Sequence, residues 1–317
     1  MGIKHLNKYL QHSCNESINQ IHLSELSGKK IVVDTSIYLY RFMGEGALLE
    51  NFYLMISIFR QYNIIPLFVF DGKPPIEKEL LLKQRKLEKK EAQEKYRLLE
   101  QSLYSANEEE KVELKENMLN LKRQFIRINH VDIENVKTLI QSYGVSYVEA
   151  PGESDKLCAK MVCKNKAYAC LSEDMDLFVY GCNRVLRYLS LLNKNVILYD
   201  LPSMLREIDM NMTEFQYVCV VSGTDYNTTN NVNTTLSNTL KYFKKFKKSG
   251  DDNFYEWLDV NTDYIDNIYV LYNTVQMFSL SNMVEYKNYE NIKIVNGPVN
   301  LSNLKTIMTK ENFLFVD

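Results

Sequence analysis

Short apolar runs alternate with longer amphipathic stretches along the first two thirds of the chain. Residues 30–34 (KIVVD) and 66–71 (PLFVFD) are strand-length runs that each end in aspartate, and residues 51–62 between them have helical apolar spacing. Further strands are predicted at residues 145–148, 167–171, 185–189 and 196–199, with helices at 131–143 and 154–164. Strands that alternate with helices in this way predict an α/β fold with a doubly wound, mostly parallel sheet.

Residues 76–129 interrupt this alternation. The stretch is highly charged, built of strong helix formers, and free of Gly and Pro. Between residues 83 and 97 only Leu87, Ala92 and Tyr96 are apolar, which is too few for a stripe that faces a core. The pattern predicts one or two helices that project from the body, with a break around residues 103–107. From these residues alone, a solvated helical hairpin or coiled-coil arm is the simplest interpretation.

The last quarter of the chain has a different character. It begins with a lysine-rich helix, KYFKKFKK, and continues as polar, aromatic-rich sequence without a clear period. We therefore predict two units. Residues 1–235 form a core that carries the charged insertion at about 76–130, and residues 236–317 form a mainly helical extension packed on that core.

Composition narrows the class of protein without deciding its function. The chain has 317 residues, 45% hydrophobic and 25% charged, as in an ordinary folded protein. Its N-terminus lacks the apolar region of a signal peptide, and its six scattered cysteines form no CxxC pair, so we expect an intracellular protein with reduced thiols. Nucleus and cytoplasm both stay open as its location. A viral factory is a third possibility, because abundant Asn, Lys and Tyr are typical of AT-rich genomes such as those of parasites and large DNA viruses.

Local charge is more informative than the net charge of −2, which does not by itself indicate nucleic-acid binding. Basic residues concentrate in residues 73–97 and 241–248. Such runs are typical either of phosphate contacts or of an exposed helix face, and the sequence leaves both interpretations open. The lysines of the second run are Lys241, Lys244, Lys245, Lys247 and Lys248.

Acidic residues recur where predicted strands end and helices begin. Asp34 and Asp71 each end a strand, and ligands of open α/β sheets bind at the carboxyl ends of strands. Any one of these acids has an ordinary explanation as a turn or helix-cap residue. Seven acids that meet in one crevice would instead repel one another unless cations neutralise them. The remaining five, in the motifs APGESD, SEDMD and SGTDY, are Glu153, Asp155, Asp174, Asp176 and Asp225.

The donor atoms of these acids indicate which metal they would bind. A set of oxygen ligands selects hard cations, and no histidine adjoins the motifs, so we predict two Mg²⁺ ions, or Mn²⁺ in their place, rather than zinc. Two such ions about 4 Å apart would clamp both oxygens of an in-line phosphoryl displacement. This chemistry needs no covalent protein nucleophile.

Seven motifs follow one another along the chain: MGIKHL, VVDTSIYLYRF, PLFVFDGKPP, KELLLKQR, YGVSYVEAPGESD, LSEDMDLFVYG and SGTDY. In order and approximate spacing, they resemble the flap endonuclease, or XPG-type 5′ nuclease, family. The resemblance covers residues 1–226 and implies a PIN-like 5′ nuclease core in which the charged insertion is a helical arch that threads a single-stranded 5′ end. The implied activity is metal-dependent cleavage of 5′ flaps or other branched DNA in replication, repair or recombination, and we expect a monomer.

The resemblance also assigns roles to single residues. Lys78 and Arg85 match phosphate-contacting cations of the arch, and their spacing predicts two turns of one helical face. Tyr40 matches an aromatic residue that stacks on the base beside the scissile bond, and Gly2 is expected near the active site. The first metal site corresponds to Asp34, Asp71, Glu153 and Asp155. The second corresponds to Asp174, Asp176 and Asp225, with Asp155 shared.

Two stretches depart from the family pattern. After Asp225 the family carries a glycine-containing helix–two-turn–helix that grips duplex DNA with a bound potassium ion, whereas residues 226–240 here contain neither Gly nor Pro. The lysines of residues 241–248 are then the candidates for sequence-independent phosphate contacts. The C-terminal TKENFLFVD does not match the sliding-clamp-binding motif, so a clamp partner is unsupported.

Two other functions stay open at this point. One is an RNA endonuclease or 5′→3′ exoribonuclease of the same superfamily, of the host-shutoff type if the chain is viral, and the altered duplex-binding stretch makes it credible. The other is a catalytically inactive scaffold. Scaffolds of this kind lose metal ligands, whereas this chain retains all seven acids.

Overall fold

A seven-stranded, mostly parallel sheet organises the fold. The computed structural model describes residues 3–103, 108–227, 234–281, 289, 291–309 and 313. Across the sheet the strands lie in the order β1-β7-β6-β5-β2-β3-β4, and only the pairs that include β7 are antiparallel. The predicted mostly parallel α/β sheet is confirmed. Within the described residues the strands are β1 (Ile18–His22), β2 (Lys30–Asp34), β3 (Ile65–Phe70), β4 (Ser146–Glu149), β5 (Ala169–Leu171), β6 (Arg184–Ser190) and β7 (Asn195–Asp200).

Helices follow most of the strands and make up the C-terminal portion. Their bounds are α1 (Leu6–Ser13), α2 (Thr35–Gly44), α3 (Leu48–Gln61), α4 (Glu79–Leu103), α5 (Glu108–Gln124), α6 (His130–Ser142), α7 (Ser154–Cys163), α8 (Asp176–Val179), α9 (Leu201–Glu207), α10 (Met212–Val221), α11 (Leu236–Ser249), α12 (Phe254–Asn261), α13 (Ile268–Met277) and α14 (Leu301–Thr309). None of the helices in the described ranges is both long and apolar enough to cross a membrane.

Alternate side chains of the central strands enter two separate cores, one on each face of the sheet. In β2, Val32 packs in the core that includes α7, α8 and α10, whereas Ile31 and Val33 pack in the core that includes α2, α3 and α6. Successive side chains of a strand point to opposite faces, so a strand buried on both faces is apolar throughout. The sheet is therefore doubly wound.

The charged insertion forms a helical hairpin. Helices α4 and α5 pack on each other, with Ala92 buried and the rings of Tyr96 and Phe125 edge to face at 5.5 Å. Apolar contacts between the two helices are few, and most of the surface of the hairpin faces water. The predicted break at residues 103–107 begins at the end of α4, but residues 104–107 lie outside the described part of the chain.

The C-terminal helices share the cores of the sheet. Phe243 of α11 and Phe254 and Leu258 of α12 join the core on the α7 side, whereas Leu304 of α14 joins the core on the α6 side. This portion is mainly helical, as predicted. Both cores include residues from before and after residue 235. The division of the chain into two units at that residue stays a prediction.

Candidate active site

Two strand ends and one helix start bring the first group of acids together. Strands β2 and β3 are parallel neighbours, so Asp34 at the end of β2 and Asp71 just after β3 lie at the same edge of the sheet. Helix α7 begins at Ser154, whose backbone N–H donates to Asp71 Oδ1 at 2.8 Å and whose Oγ donates to Asp34 Oδ1 at 2.9 Å. The start of α7 therefore holds Glu153 and Asp155, which flank Ser154, against both strand ends.

A second serine ties the next pair of acids to the same edge. Ser172 follows β5, and its Oγ donates to Asp34 Oδ2 at 2.8 Å. The same Oγ accepts a hydrogen bond from the backbone N–H of Asp174 at 3.1 Å, and Asp174 Oδ1 accepts one from the N–H of Asp176 at 3.0 Å. These short-range hydrogen bonds fix the SEDMD turn and hence the direction of its two carboxylates.

Asp225 is carried by a tight turn after α10. Gly223 has a φ of 98°, a conformation that residues with a Cβ rarely adopt. Asn227 closes the turn, because its Oδ1 accepts hydrogen bonds from the backbone N–H of Thr224 at 2.9 Å and from Thr224 Oγ1 at 2.6 Å. The carboxylate of Asp225 is thereby presented to the edge of the sheet where the other acids lie.

A cavity of about 700 Å³ is lined by six of the seven acids, whereas Asp176 is buried and does not line it. Asp34 and Asp71 thus share one cavity with Asp174 and Asp225, although their role as metal ligands stays a prediction. Close approach of the chain forms one wall, since a Cβ on Gly72 would lie 2.1 Å from the carbonyl oxygen of Ala150. The cavity is lined by Asp34, Ser36, Ile37, Tyr40, Asp71, Gly72, Pro74, Lys78, Leu82, Arg85, Lys86, Lys89, Glu153, Ser154, Asp155, Asp174 and Asp225.

Asp34 lies where the ionised form of its carboxyl group is unfavourable. It is 4% exposed, and burial is the largest of the causes that together raise the pKa of its carboxyl group to about 7. The negative charge of Asp71 is the second cause of the raised pKa, while the hydrogen bonds from Ser172 and Ser154 oppose it. The carboxylate is thus held by two hydroxyl donors in a place where its charge is unfavourable.

Asp176 is the most enclosed acid of the set. It is 1% exposed, and among the described residues neither of its carboxylate oxygens has a hydrogen-bond partner. Burial raises the pKa of Asp176 well above its usual range, and Asp174 and Asp225 raise it further. Burial and then Glu153 raise the pKa of Asp155 in the same way. Buried carboxylate oxygens without partners are costly, and a bound cation is the usual compensation.

Two cations of the charged insertion, called the arm below, contact these acids. Lys78 is 5% exposed, and its Nζ lies 2.8 Å from Glu153 Oε1 and 3.8 Å from Asp225 Oδ2. Arg85 donates from Nη2 to Asp225 Oδ2 at 2.9 Å. Burial alone would lower the pKa of Lys78, but Asp155 and Glu153 outweigh it, so the pKa is raised and the ammonium stays charged.

The placement of these two cations differs in one respect from the sequence prediction. Lys78 belongs to a 3₁₀ turn, Ile76–Lys78, that precedes α4, whereas Arg85 lies within α4. The prediction of two turns on one helical face is therefore wrong. The two side chains meet at the cavity because the 3₁₀ turn leads directly into the helix.

Further residues of α4 extend the basic wall of the cavity. Leu82, Arg85, Lys86 and Lys89 all line it, at the spacing of one helical face. Lys89 Nζ lies 5.0 Å from the centre of the Tyr40 ring, and Tyr40 itself is 46% exposed. Lys86 and Lys89 were not among the predicted site residues, although their helical spacing from Leu82 and Arg85 was the available signal. Ser154, Ser172 and Tyr226 were not predicted either, although all three lie inside the acidic motifs.

The donor set fits a hard divalent cation. Its atoms are carboxylate oxygens, which Mg²⁺ and Mn²⁺ prefer, and both oxygens of Asp176 lack a protein partner in the described part of the chain. The described side chains include no group of three or more His, Cys, Asp or Glu already positioned around one ion. The arm cations Lys78 and Arg85 instead contact Glu153 and Asp225 directly.

The predicted nucleic-acid contacts lie away from this cavity or outside the described residues. Lys241 and Lys245 line a separate cavity of about 890 Å³ beside α11 and α12. Lys244 and Lys248 are exposed, while Lys247 Nζ lies 3.2 Å from a carboxylate oxygen of Glu214. Gly2 lies outside the described residues, as do residues 228–233 of the glycine-free stretch.

Comparison with known proteins places the chain in a family. The XPG N-terminal domain matches residues 1–92, and the XPG I-region matches residues 144–225. Flap endonuclease 1 of Candida tropicalis is 32% identical over 246 residues, which cover 71% of this chain and 63% of that protein. Flap endonuclease 1 of Candida albicans is 30% identical over 282 residues, which cover 82% of this chain and 72% of that protein.

The structural comparison extends the likeness across the whole fold. The catalytic core of Rad2 in complex with DNA substrate has a TM-score of 0.67, covering 98% of this chain and 94% of that chain, at 18% identity. The chain spans less than two thirds of the length of the Candida tropicalis relative. All seven acids fall within the two matched regions. The chain therefore belongs to the flap endonuclease, or XPG-type 5′ nuclease, family, whose members are metal-dependent nucleases.

Proposed function

We propose that this chain is a magnesium-dependent 5′ nuclease that hydrolyses phosphodiester bonds in flapped or branched DNA. The observation that carries the proposal is the meeting of six carboxylates with Lys78 and Arg85 at one cavity. Acids that hold cations and basic side chains that contact phosphate are the two requirements of metal-assisted phosphodiester hydrolysis. Membership in a nuclease family supports the same reaction class.

The carboxylates would hold two Mg²⁺ ions. When bound, these ions would stabilise the charge that develops on the attacking and leaving oxygens of an in-line displacement. They would also compensate the buried charges of the acids, which the protein by itself leaves unfavourable. We assign Asp34, Asp71, Glu153 and Asp155 to the first ion, and Asp174, Asp176 and Asp225 to the second, with Asp155 shared.

The arm cations would bind the scissile phosphate. Arg85 contacts Asp225 through one nitrogen, and its planar guanidinium can exchange that carboxylate for a phosphate and donate two parallel hydrogen bonds. Lys78 is more deeply buried, beside Glu153, and would offer its ammonium group as a point charge. Together the two side chains would pull the phosphate toward the acids and offset its negative charge.

The rim of the cavity would position the nucleotides next to the cut. Tyr40 is about half exposed, so its ring is accessible to a base, and stacking of this kind tolerates any sequence. Lys86 and Lys89 continue the basic face along α4, where the single-stranded 5′ end would run. Their contacts would be with the backbone and therefore independent of sequence.

The core, the insertion and the C-terminal portion of the chain would have different roles. Residues 1–235 would be the nuclease core, with residues 76–130 as the arch, and residues 236–317 would be an extension that contacts the duplex. Lys244 and Lys248 of α11 are exposed and suited to duplex phosphates, together with Lys241 and Lys245 at the neighbouring cavity.

Cleavage assays on a defined panel of substrates test the function. Purified protein with Mg²⁺ is given 5′-flap DNA, a DNA bubble, linear duplex DNA and single-stranded RNA, each in parallel with an EDTA control. We expect metal-dependent cuts near the flap junction and little cleavage of linear duplex. If RNA is cut while flaps survive, the chain is an RNA nuclease of the same superfamily. If nothing is cut, it is a scaffold.

A further inference from the structure

Tyr226 follows the acid Asp225 and lies between two groups of the site. Its hydroxyl donates a hydrogen bond to Glu153 Oε2 at 2.9 Å. The Nζ of Lys78 lies 4.6 Å from the centre of its ring, in a cation–π contact. One tyrosine therefore contacts both members of the Lys78–Glu153 ion pair.

The carboxylate of Glu153 is restrained from both sides as a result. Its Oε1 contacts Lys78 Nζ at 2.8 Å, and its Oε2 accepts the hydrogen bond from Tyr226. If Lys78 turns to a substrate phosphate, the tyrosine is the contact that keeps the glutamate in place. Tyr180 adds a second hydroxyl at 2.8 Å from that of Tyr226. Since Tyr226 donates to Glu153, Tyr180 is the donor in this second bond.

The C-terminal portion of the chain braces this arrangement. Phe278, directly after α13, is buried, and its ring contacts Tyr226 at 5.2 Å in an edge-to-face geometry and Tyr180 at 5.0 Å. The backbone N–H of Tyr226 also donates to Thr224 Oγ1 at 3.2 Å within the turn that carries Asp225. Packing and turn geometry thus leave Tyr226 little freedom.

We propose that Tyr226 is a positioning residue, which orients Glu153 and Lys78 for metal binding and phosphodiester hydrolysis and is held in place by Phe278. The inference rests on the proposed function, because it assigns Glu153 to the metal site. Hydrogen-bond partners of metal ligands orient those ligands, and their loss typically weakens metal affinity or activity by about 10- to 100-fold.

The variant Tyr226→Phe isolates the hydroxyl, since it keeps the ring that contacts Lys78 and Phe278. Tyr255→Phe is the matched control, because its buried hydroxyl donates to the backbone carbonyl of Tyr217 at 3.2 Å, and no acid of the site is among its contacts in the described residues. Mn²⁺ binding to the whole chain without DNA is measured by calorimetry, followed by single-turnover cleavage of a 5′ flap. We expect Tyr226→Phe to bind Mn²⁺ about 10-fold more weakly and to cleave about 10- to 100-fold more slowly, with flap affinity unchanged. Tyr255→Phe should match the wild type in all three measurements.

Two results would overturn the proposal: wild-type Mn²⁺ affinity in Tyr226→Phe, or an equal loss in Tyr255→Phe. Because the Mn²⁺ measurement needs no DNA, it separates this inference from the proposed function. A wild-type protein that binds Mn²⁺ but cuts no flap refutes the nuclease and still tests the tyrosine. A wild-type protein without Mn²⁺ affinity refutes both.

Discussion

Replacing Asp34 by Asn tests whether the buried acids destabilise the metal-free protein. Burial and Asp71 raise the pKa of Asp34 from 3.8 to about 7. Three pKa units correspond to about 4 kcal/mol of differential ionisation energy. The folded protein binds this proton more tightly than the unfolded chain does. The free energy of unfolding therefore falls as the pH rises from about 4 to about 7, and the full loss is present above pH 7.

Asparagine removes this charge and leaves polar atoms for the hydroxyls of Ser154 and Ser172. Without metal, Asp34→Asn should be more stable than the wild type by about 1.5 kcal/mol at pH 5 and by up to about 4 kcal/mol at pH 8. The difference between the two proteins should thus widen by about 2.5 kcal/mol. Urea unfolding in EDTA at both pH values measures it, and Asp251→Asn serves as the control for loss of an exposed carboxylate.

Magnesium should reduce the difference in stability between the two proteins. A ligand that binds only the folded protein stabilises it in proportion to the logarithm of its concentration over the dissociation constant. The wild type should therefore gain more from added Mg²⁺ than Asp34→Asn does at pH 8. A stability difference that is the same at pH 5 and pH 8, or a variant less stable than the metal-free wild type at pH 8, would refute the reasoning.

Three further predictions concern catalysis and binding. Asp174→Asn should abolish cleavage while circular dichroism and flap affinity stay at wild-type values, and unchanged turnover would show that the acid is not a metal ligand. Reversing Lys78 and Arg85 to Glu together should slow single-turnover cleavage by about 100-fold or more while flap affinity falls less, and a proportional loss of both would contradict their placement at the scissile phosphate. Changing Lys244 and Lys248 to Ser should reduce the salt dependence of duplex binding by about 0.9 in log–log slope per lysine, and an unchanged slope would exclude them from the interface.

The strands that the sequence located are those with strong local signals. The apolar run of β2 is buried on both faces, so burial and sequence pattern coincide there. The prediction missed β1, whose apolar positions are only Ile18 and Ile21. This strand is an antiparallel edge strand, and its pairing with β7 supplies what its composition does not. Pairing between distant segments leaves no periodic signal in either one.

The sequence by itself determined the α/β class and indicated the seven acids as candidate metal ligands. Apolar periodicity sets the strands, and six of the acids follow strands or begin helices, which favours one edge of a parallel sheet. Asp225 instead follows helix α10, so only the fold brings it to that edge. Only the tertiary structure decided the partners of each acid. Lys78 and Tyr226 reach Glu153 across 75 and 73 positions of the chain, and Arg85 reaches Asp225 across 140. Such contacts depend on how the arm and the C-terminal helices pack against the sheet, which no local pattern of residues encodes.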